Sequence, residues 1–201
     1  MKKKSLFIAG FLTLVLFSIG YSLVLDQSSV PSGWNIAGSK PKDYDMGKDS
    51  KTAHSGSSSA FIHSNQATIQ GFGTLMQTFK ADIYFGKRVR MTGFIKTGDV
   101  KNLAGMWMRV DDKANPNQSL SFDNMSNRPI KGTTDWKKCE IVLDVPANAS
   151  NIAFGFLLDG TGKIWFDDIA FEVVDLSVPT TDMKGQGGQM PSAPMNLDFE
   201  K

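Results

Sequence analysis

The feature that most constrains this chain is its series of short apolar runs with a period of two, separated by turn residues. Arg88 to Ile95 puts Val89, Met91 and Ile95 on one side and Arg88, Arg90, Thr92 and Phe94 on the other. Ala104, Met106, Met108 and Val110 share one side of the next run, with Gly105, Trp107 and Arg109 opposite. Cys139, Ile141, Leu143 and Val145 obey the same rule, and Pro146 ends that run. Shorter runs stand at Ala60–His63 and Thr74–Phe79, and a final pair, Ile152–Leu158 and Lys163–Val174, is joined through Asp159-Gly160-Thr161-Gly162. Successive side chains of a strand point to opposite faces, so this period marks strands with one covered face. No window beyond the N-terminal leader repeats with helical spacing. Many short strands with glycine-rich turns imply an all-β, two-sheet antiparallel sandwich whose inner faces share one core.

That sandwich is bracketed by two segments of other character. Lys2-Lys3-Lys4 precede the uncharged run Ser5 to Leu25. A secretory h-region is typically ~7–15 apolar residues and a spanning helix needs ~20, so the run serves either as a cleaved signal or as an anchor helix. Residues 1–22 are therefore expected to be a signal peptide or signal anchor. With the lysines held inside, the remainder lies outside the cytoplasm, secreted or anchored at the outer face of the membrane. The division continues as sandwich over 23–175, linker over 176–195 and a strand-like segment over 196–201. Pro179, Pro191, Pro194, Gly185, Gly187 and Gly188 give the linker its composition.

The leader also explains the charge. The chain has 22 Lys and Arg against 20 Asp and Glu. Removing the leader's three lysines leaves 22 − 3 = 19 against 20. No basic excess remains for phosphate contacts, so nucleic acid is not an expected partner. The single cysteine, Cys139, excludes an intramolecular disulfide framework and a cysteine-built zinc site. On alternation Cys139 is a small core residue, His54 sits in a turn, and His63 points outward from Ile62.

The order Ser32-Gly33-Trp34, His54-Ser55-Gly56, Asp135-Trp136-Lys137-Lys138 and Gly162-Lys163-Ile164-Trp165-Phe166-Asp167-Asp168-Ile169 resembles jelly-roll sandwiches of the carbohydrate-binding-module or galactose-binding-like type. A narrower likeness runs through Gly71-Phe72-Gly73-Thr74, Trp107-Met108-Arg109-Val110-Asp111 and Arg128-Pro129-Ile130-Lys131-Gly132. It is similar to bacterial domains of unassigned function that are sometimes fused to transcriptional regulators. No helix-turn-helix pattern accompanies it here. The resemblance implies a jelly-roll topology and a glycan ligand. It also implies a structural calcium, held partly by Asp168 and by the glutamate of an Asn-x-Asp-Phe-Glu first strand. Val24-Leu25-Asp26-Gln27 lacks that glutamate, whereas Asn196-Leu197-Asp198-Phe199-Glu200 has it. Glu200 would complete the site only by folding back. The C-terminal strand is read as the relic of a lost repeat, in preference to one that adds to a sheet edge of its own or another molecule.

The candidate ligand site is the side of the second run that cannot enter the core. Met106, Met108 and Val110 are inward, so Trp107 and Arg109 must meet solvent, a loop or a ligand. An aromatic ring stacks on the apolar face of a sugar, and arginine donates in a fixed fork to hydroxyls or carboxylates. Phe94 is expected on the same face, with Asp123, Asn124 and Arg128 at its rim. The competing arrangement has Trp107 under the 112–119 loop and Arg109 paired with Asp111 or Asp123. Strict alternation also turns one of Asp167 and Asp168 inward, where a carboxylate requires a partner or a metal. The expectation is an exported, non-catalytic module that binds carbohydrate through an exposed sheet face. The alternatives are a structural or protein-interaction domain that uses a sheet edge or the C-terminal strand, and, third, a small hydrolase.

Overall fold

A computed structural model describes residues 30–115 and 118–183. The expected leader, the later part of the linker, the 196–201 strand and Glu200 lie outside the described residues. Among the described residues, no helix is long and apolar enough to cross a membrane.

Nine strands occur in chain order among the described residues: β1 Asn35–Gly38, β2 Tyr44–Asp49, β3 Ser59–Ser64, β4 Phe72–Lys80, β5 Lys87–Asp112, β6 Ser119–Asp123, β7 Ile130–Val145, β8 Ala149–Asp159 and β9 Lys163–Val174. Two 3-10 turns, Pro41–Asp43 and Asp82–Tyr84, are the helical elements among the described residues. Every strand pair is antiparallel. The hydrogen-bonded path runs β1-β4-β8-β5-β9-β3-β2, with β6 and β7 also on β5.

The two runs expected as separate strands, 88–95 and 104–110, are halves of β5. Its first half pairs with β7 and β9, and its second half with β6 and β8. Between them the register against β7 slips repeatedly from Ile95 to Ala104, and Asp99 has φ 53. Such irregularities bend a strand. β5 therefore passes from a first layer, β2-β3-β9-β5-β7, into a second, β1-β4-β8-β5-β6.

The layers pack face to face. Phe156 on β8 stacks on Phe166 of β9 at 4.1 Å, and Phe154 meets Phe171 edge-on at 4.9 Å. Val89, Met91 and Ile95 of the first half, and Met106, Met108 and Val110 of the second, are fully buried, as their alternation predicts. The sheets approach so closely at Gly93 that an added Cβ would lie 3.1 Å from Phe156 Cζ and 3.2 Å from Met106 Sδ. Cys139, paired across from Gly93, is partly buried against this core, and burial pushes its thiol pKa up.

β9 departs from strict alternation. Thr92 pairs with Ala170 and Phe94 with Asp167, so β9 spends one more residue there than β5. Asp168 occupies that bulge with φ 51. Ile164 and Phe166 face inward before it, and Ile169 and Phe171 pack against the core after it. The bulge thus turns both acids outward, and the expected inward carboxylate is absent at Asp167 and Asp168.

Candidate functional site

The outer face of the second layer carries a groove floored by Trp107. In β5 the sequence Ala104-Gly105-Met106-Trp107-Met108 is apolar on both phases, and so is Ile152–Leu158 in β8. The inward phase fills the common core. The outward phase gathers Trp107, Ala153 and Leu157 into a small separate cluster, flanked by Met76, Leu103 and Phe122. Trp107 keeps 9% of its surface exposed. Its packing partners belong to β4, β5, β6 and β8 rather than to the 112–119 loop.

The indole is fixed by two neighbours. Its N–H donates to Thr74 Oγ1 at 2.8 Å, and the Thr74 hydroxyl donates to the Phe156 carbonyl at 2.7 Å. Gly155 pairs directly with Trp107, and a Cβ there would come within 3.0 Å of the indole nitrogen and 2.3 Å of the Leu75 carbonyl oxygen. Glycine at 155 therefore leaves the space through which the indole reaches Thr74 on β4.

Above this floor lies a concavity of about 410 Å³, lined by Phe72, Leu103, Trp107, Arg109, Phe122, Asn124, Ser126, Leu157 and Asp159. Arg109 shares its fork with Asp111: Nε donates to Oδ1 at 2.6 Å and Nη2 to Oδ2 at 3.1 Å. Asp111 is buried and also accepts from Asn151 at 2.7 Å. Arg109 is thus anchored from below while part of its side chain forms the groove wall. Asn124 lies at the rim, its side-chain Oδ1 accepting the Ser126 N–H at 3.1 Å.

Three other expected site residues are placed elsewhere. Asp123 is fully buried. It binds Arg128 through two N–H···O contacts of 3.0 and 2.5 Å and accepts the Met125 N–H at 2.8 Å. Arg128 donates further to the Glu140 carbonyl at 3.1 Å. The two residues satisfy each other beneath the 123–128 turn and do not form a ligand rim. Phe94 lies in the first half of β5, hence on the outer face of the other layer, where His54 stacks on it at 3.6 Å. The bend in β5 separates Phe94 from Trp107, although they alternate in phase.

His54 belongs to a cluster that the sequence spacing did not reveal. Its Nδ1 lies 2.6 Å from Asp168 Oδ2, and Ser55 Oγ donates to Asp168 Oδ1 at 2.6 Å. The backbone N–H groups of His54 and Ser55 both reach Asp167 Oδ2, at 2.9 and 3.3 Å. Hydrogen bonding from His54, then from Ser55, holds the Asp168 carboxyl below the usual carboxylate range. Ser55 bonds the acid rather than the imidazole, so these three residues are not arranged as a nucleophile, base and orienting acid. They fasten the 50–58 loop to the sheet. Among the described residues, no cluster of three His, Cys, Asp or Glu side chains could hold a metal. Asp168, expected as a calcium ligand, is engaged by His54 and Ser55.

The groove's apolar members Leu103, Phe122 and Leu157 were missed. The available signal was the absence of a polar phase in Ile152–Leu158 of β8 and in Leu103–Met108 of β5, which marks strands covered on both sides.

Solved structures of carbohydrate-binding modules share this two-layer antiparallel sandwich. The xylan-binding CBM22-1 domain of Paenibacillus barcinonensis Xyn10C superposes with TM-score 0.53 at 12% identity, covering 74% of this chain and 90% of that domain. A cyclase from Fischerella sp. TAU shares the fold with TM-score 0.51 at 15% identity, covering 77% of this chain and 92% of its own. In sequence, the chain is 48% identical over 170 residues to the uncharacterized HTH-type transcriptional regulator YbfP of Bacillus subtilis (strain 168). That match takes in 84% of this chain and 57% of the relative. It is 28% identical over 159 residues to the tRNA nuclease WapA of the same strain, across 73% of this chain and 6% of the nuclease. No family model matches the sequence.

Proposed function

We propose that this chain is a non-catalytic, exported binding module that takes a glycan in the groove over Trp107. The observation that carries this reading is the groove itself, with an aromatic and aliphatic floor and a polar rim of Arg109, Asn124, Ser126 and Asp159. Apolar sugar faces suit such a floor, and hydroxyl groups suit such a rim. The likeness to a xylan-binding domain makes β-linked plant polysaccharide the first class to try.

Two features support binding without catalysis. Among the described residues that line the groove, Asp159 is the one carboxylate, whereas glycoside hydrolysis generally uses a pair. The matching segment also recurs within a regulator and within a nuclease, covering 57% and 6% of them, as a portable accessory domain would. Export rests on Lys2-Lys3-Lys4 and the uncharged run beyond them.

Calorimetric titration with xylo-oligosaccharides and a wider glycan array tests the ligand class. Phe122→Ala and Asn124→Ala are expected to weaken binding, and Phe61→Ala, on the opposite layer, to leave it unchanged. Absence of any glycan ligand, or equal binding by all three variants, would remove this reading. Fractionation of the producing cells tests export, which fails if the chain stays in the cytoplasm.

A further inference from the structure

We propose that residues 175–183, a strap that follows β9, position Phe122 as a wall of the Trp107 groove, so that strap docking and groove occupancy favour each other. The positioning is independent of what the groove binds. The coupling rests on the glycan reading.

The strap starts from a fixed support. Arg88 grips Asp144 through Nε and Nη2 at 2.7 and 2.9 Å. Its Nη1 donates to the carbonyls of Leu176 and Val178 at 2.7 and 2.5 Å. Further on, the Thr181 N–H donates to the Val142 carbonyl at 2.8 Å, and the Val142 N–H donates to Thr181 Oγ1 at 3.0 Å. Val142 and Asp144 belong to β7, in the first layer. The next two residues cross to β6, in the second. There the Phe122 N–H donates to Asp182 Oδ1 at 3.0 Å, and the Met183 N–H donates to the Phe122 carbonyl at 2.8 Å.

These two bonds fall where β6 needs them. Among the described residues β6 pairs with β5 alone. Opposed residues of an antiparallel ladder alternate between pairs that exchange main-chain bonds and pairs that do not. Phe122 lies opposite Arg109, and both its main-chain groups turn to the strap, so theirs is a pair of the second kind. The neighbours of Phe122 are fastened from within. Ser121 Oγ donates to the Asp144 carbonyl at 2.6 Å, and Asp123 holds Arg128. An undocked strap would return the peptide groups of Phe122 to water and loosen the strand at that residue.

The Phe122 ring points away from Ser121 and Asp123, onto the outer face. It flanks the cluster of Trp107, Ala153 and Leu157 and lines the groove. Met183 also approaches a second lining residue, its Sδ lying 3.8 Å from Ser126 Oγ. A ligand that packs on Phe122 and reaches Ser126 therefore prefers the arrangement held by the docked strap. Such a preference is reciprocal, so the bound ligand favours docking to the same degree.

The test compares the full chain with its Asp182→Ala, Met183→Pro and Asp182→Asn variants, by hydrogen exchange and by calorimetry with xylo-oligosaccharides. Alanine removes the acceptor and proline removes the N–H, whereas asparagine keeps an oxygen in the same place. The Phe122 amide should exchange faster in Asp182→Ala and Met183→Pro, and near the parent rate in Asp182→Asn. Affinity should fall about five- to tenfold in the first two, at the lower end of the range for coupled sites. In the parent, bound oligosaccharide should slow exchange of the Met183 amide. Asp123→Ala, which loosens the adjoining turn, should leave affinity unchanged, which separates positioning from lost stability. Unchanged Phe122 exchange in both Asp182→Ala and Met183→Pro would overturn the positioning. Faster exchange at unaltered affinity would overturn the coupling. If the parent binds no glycan, the glycan reading fails by itself, and Phe122 exchange still decides the positioning.

Discussion

Replacing Thr74 by valine should show whether the floor of the groove is held by a single buried hydrogen bond. Valine keeps the shape of the side chain and removes the hydroxyl that accepts the Trp107 indole N–H at 2.8 Å. Thr74 is 3% exposed, and the indole is itself buried beside it, so water has little access to the orphaned donor. A buried polar group left without a partner costs about 1–3 kcal/mol. In a domain of this size each kcal/mol is worth roughly 2–4 °C in Tm, so a drop of ~2–12 °C is expected. Urea unfolding followed by circular dichroism should show a lower midpoint at an unchanged slope. The cycle with Trp107→Phe is the decisive part, because phenylalanine has no donor to strand. Thr74→Val should be less costly in that background, with a coupling of about 1 kcal/mol. If Thr74→Val costs the same with tryptophan or phenylalanine at 107, the Thr74 hydroxyl does not hold the indole.

Two more outcomes are expected from the buried Asp123–Arg128 pair and the Asp168 cluster. Asp123→Ala should cost roughly 2–3 kcal/mol in urea unfolding, below the ~3–5 for a wholly buried pair because Arg128 is partly exposed. Glycan binding should change little in that variant, because Asp123 does not line the groove. The Asp168 carboxyl is depressed in the folded protein, so its contribution is complete above the ordinary value near ~4 and is lost as pH falls through the lower folded value. Hydrogen exchange should therefore show the 50–58 loop opening on acidification. Asp168→Asn should open the same loop at neutral pH, and a loop equally protected in both proteins would contradict its fastening by His54 and Ser55.

Much of the fold was legible because burial on one face imposes a period of two that no helix tolerates. The inward set Val89, Met91, Ile95, Met106, Met108 and Val110 was read correctly for that reason. Continuity was harder to read. The segment between Ile95 and Ala104 bends without ending the strand, and local composition does not distinguish a bend from a turn. Phe94 was misplaced as a result, since phase along a strand carries no information about which layer each half enters. Trp107 and Arg109 both line the outer concavity, whose other members Leu103, Phe122 and Leu157 come from β5, β6 and β8. His54 and Ser55 are more than a hundred residues from Asp168 in the chain, and only β3–β9 pairing and the bulge at Asp168 bring them together.

The sequence by itself determined an all-β chain, the faces that enter its core, and the near-neutral charge of everything after residue 22. Each depends on neighbours a few residues apart, where pleat geometry and formal charge suffice. Tertiary structure alone decided that Asp123 and Arg128 neutralise each other under a turn and that Asp167 and Asp168 both face outward. It also decided that Met183, beyond β9, donates its N–H to the Phe122 carbonyl beside the Trp107 groove. These outcomes depend on register slips and crossings between distant strands, which shift a side chain to another face or layer with no trace in the local pattern.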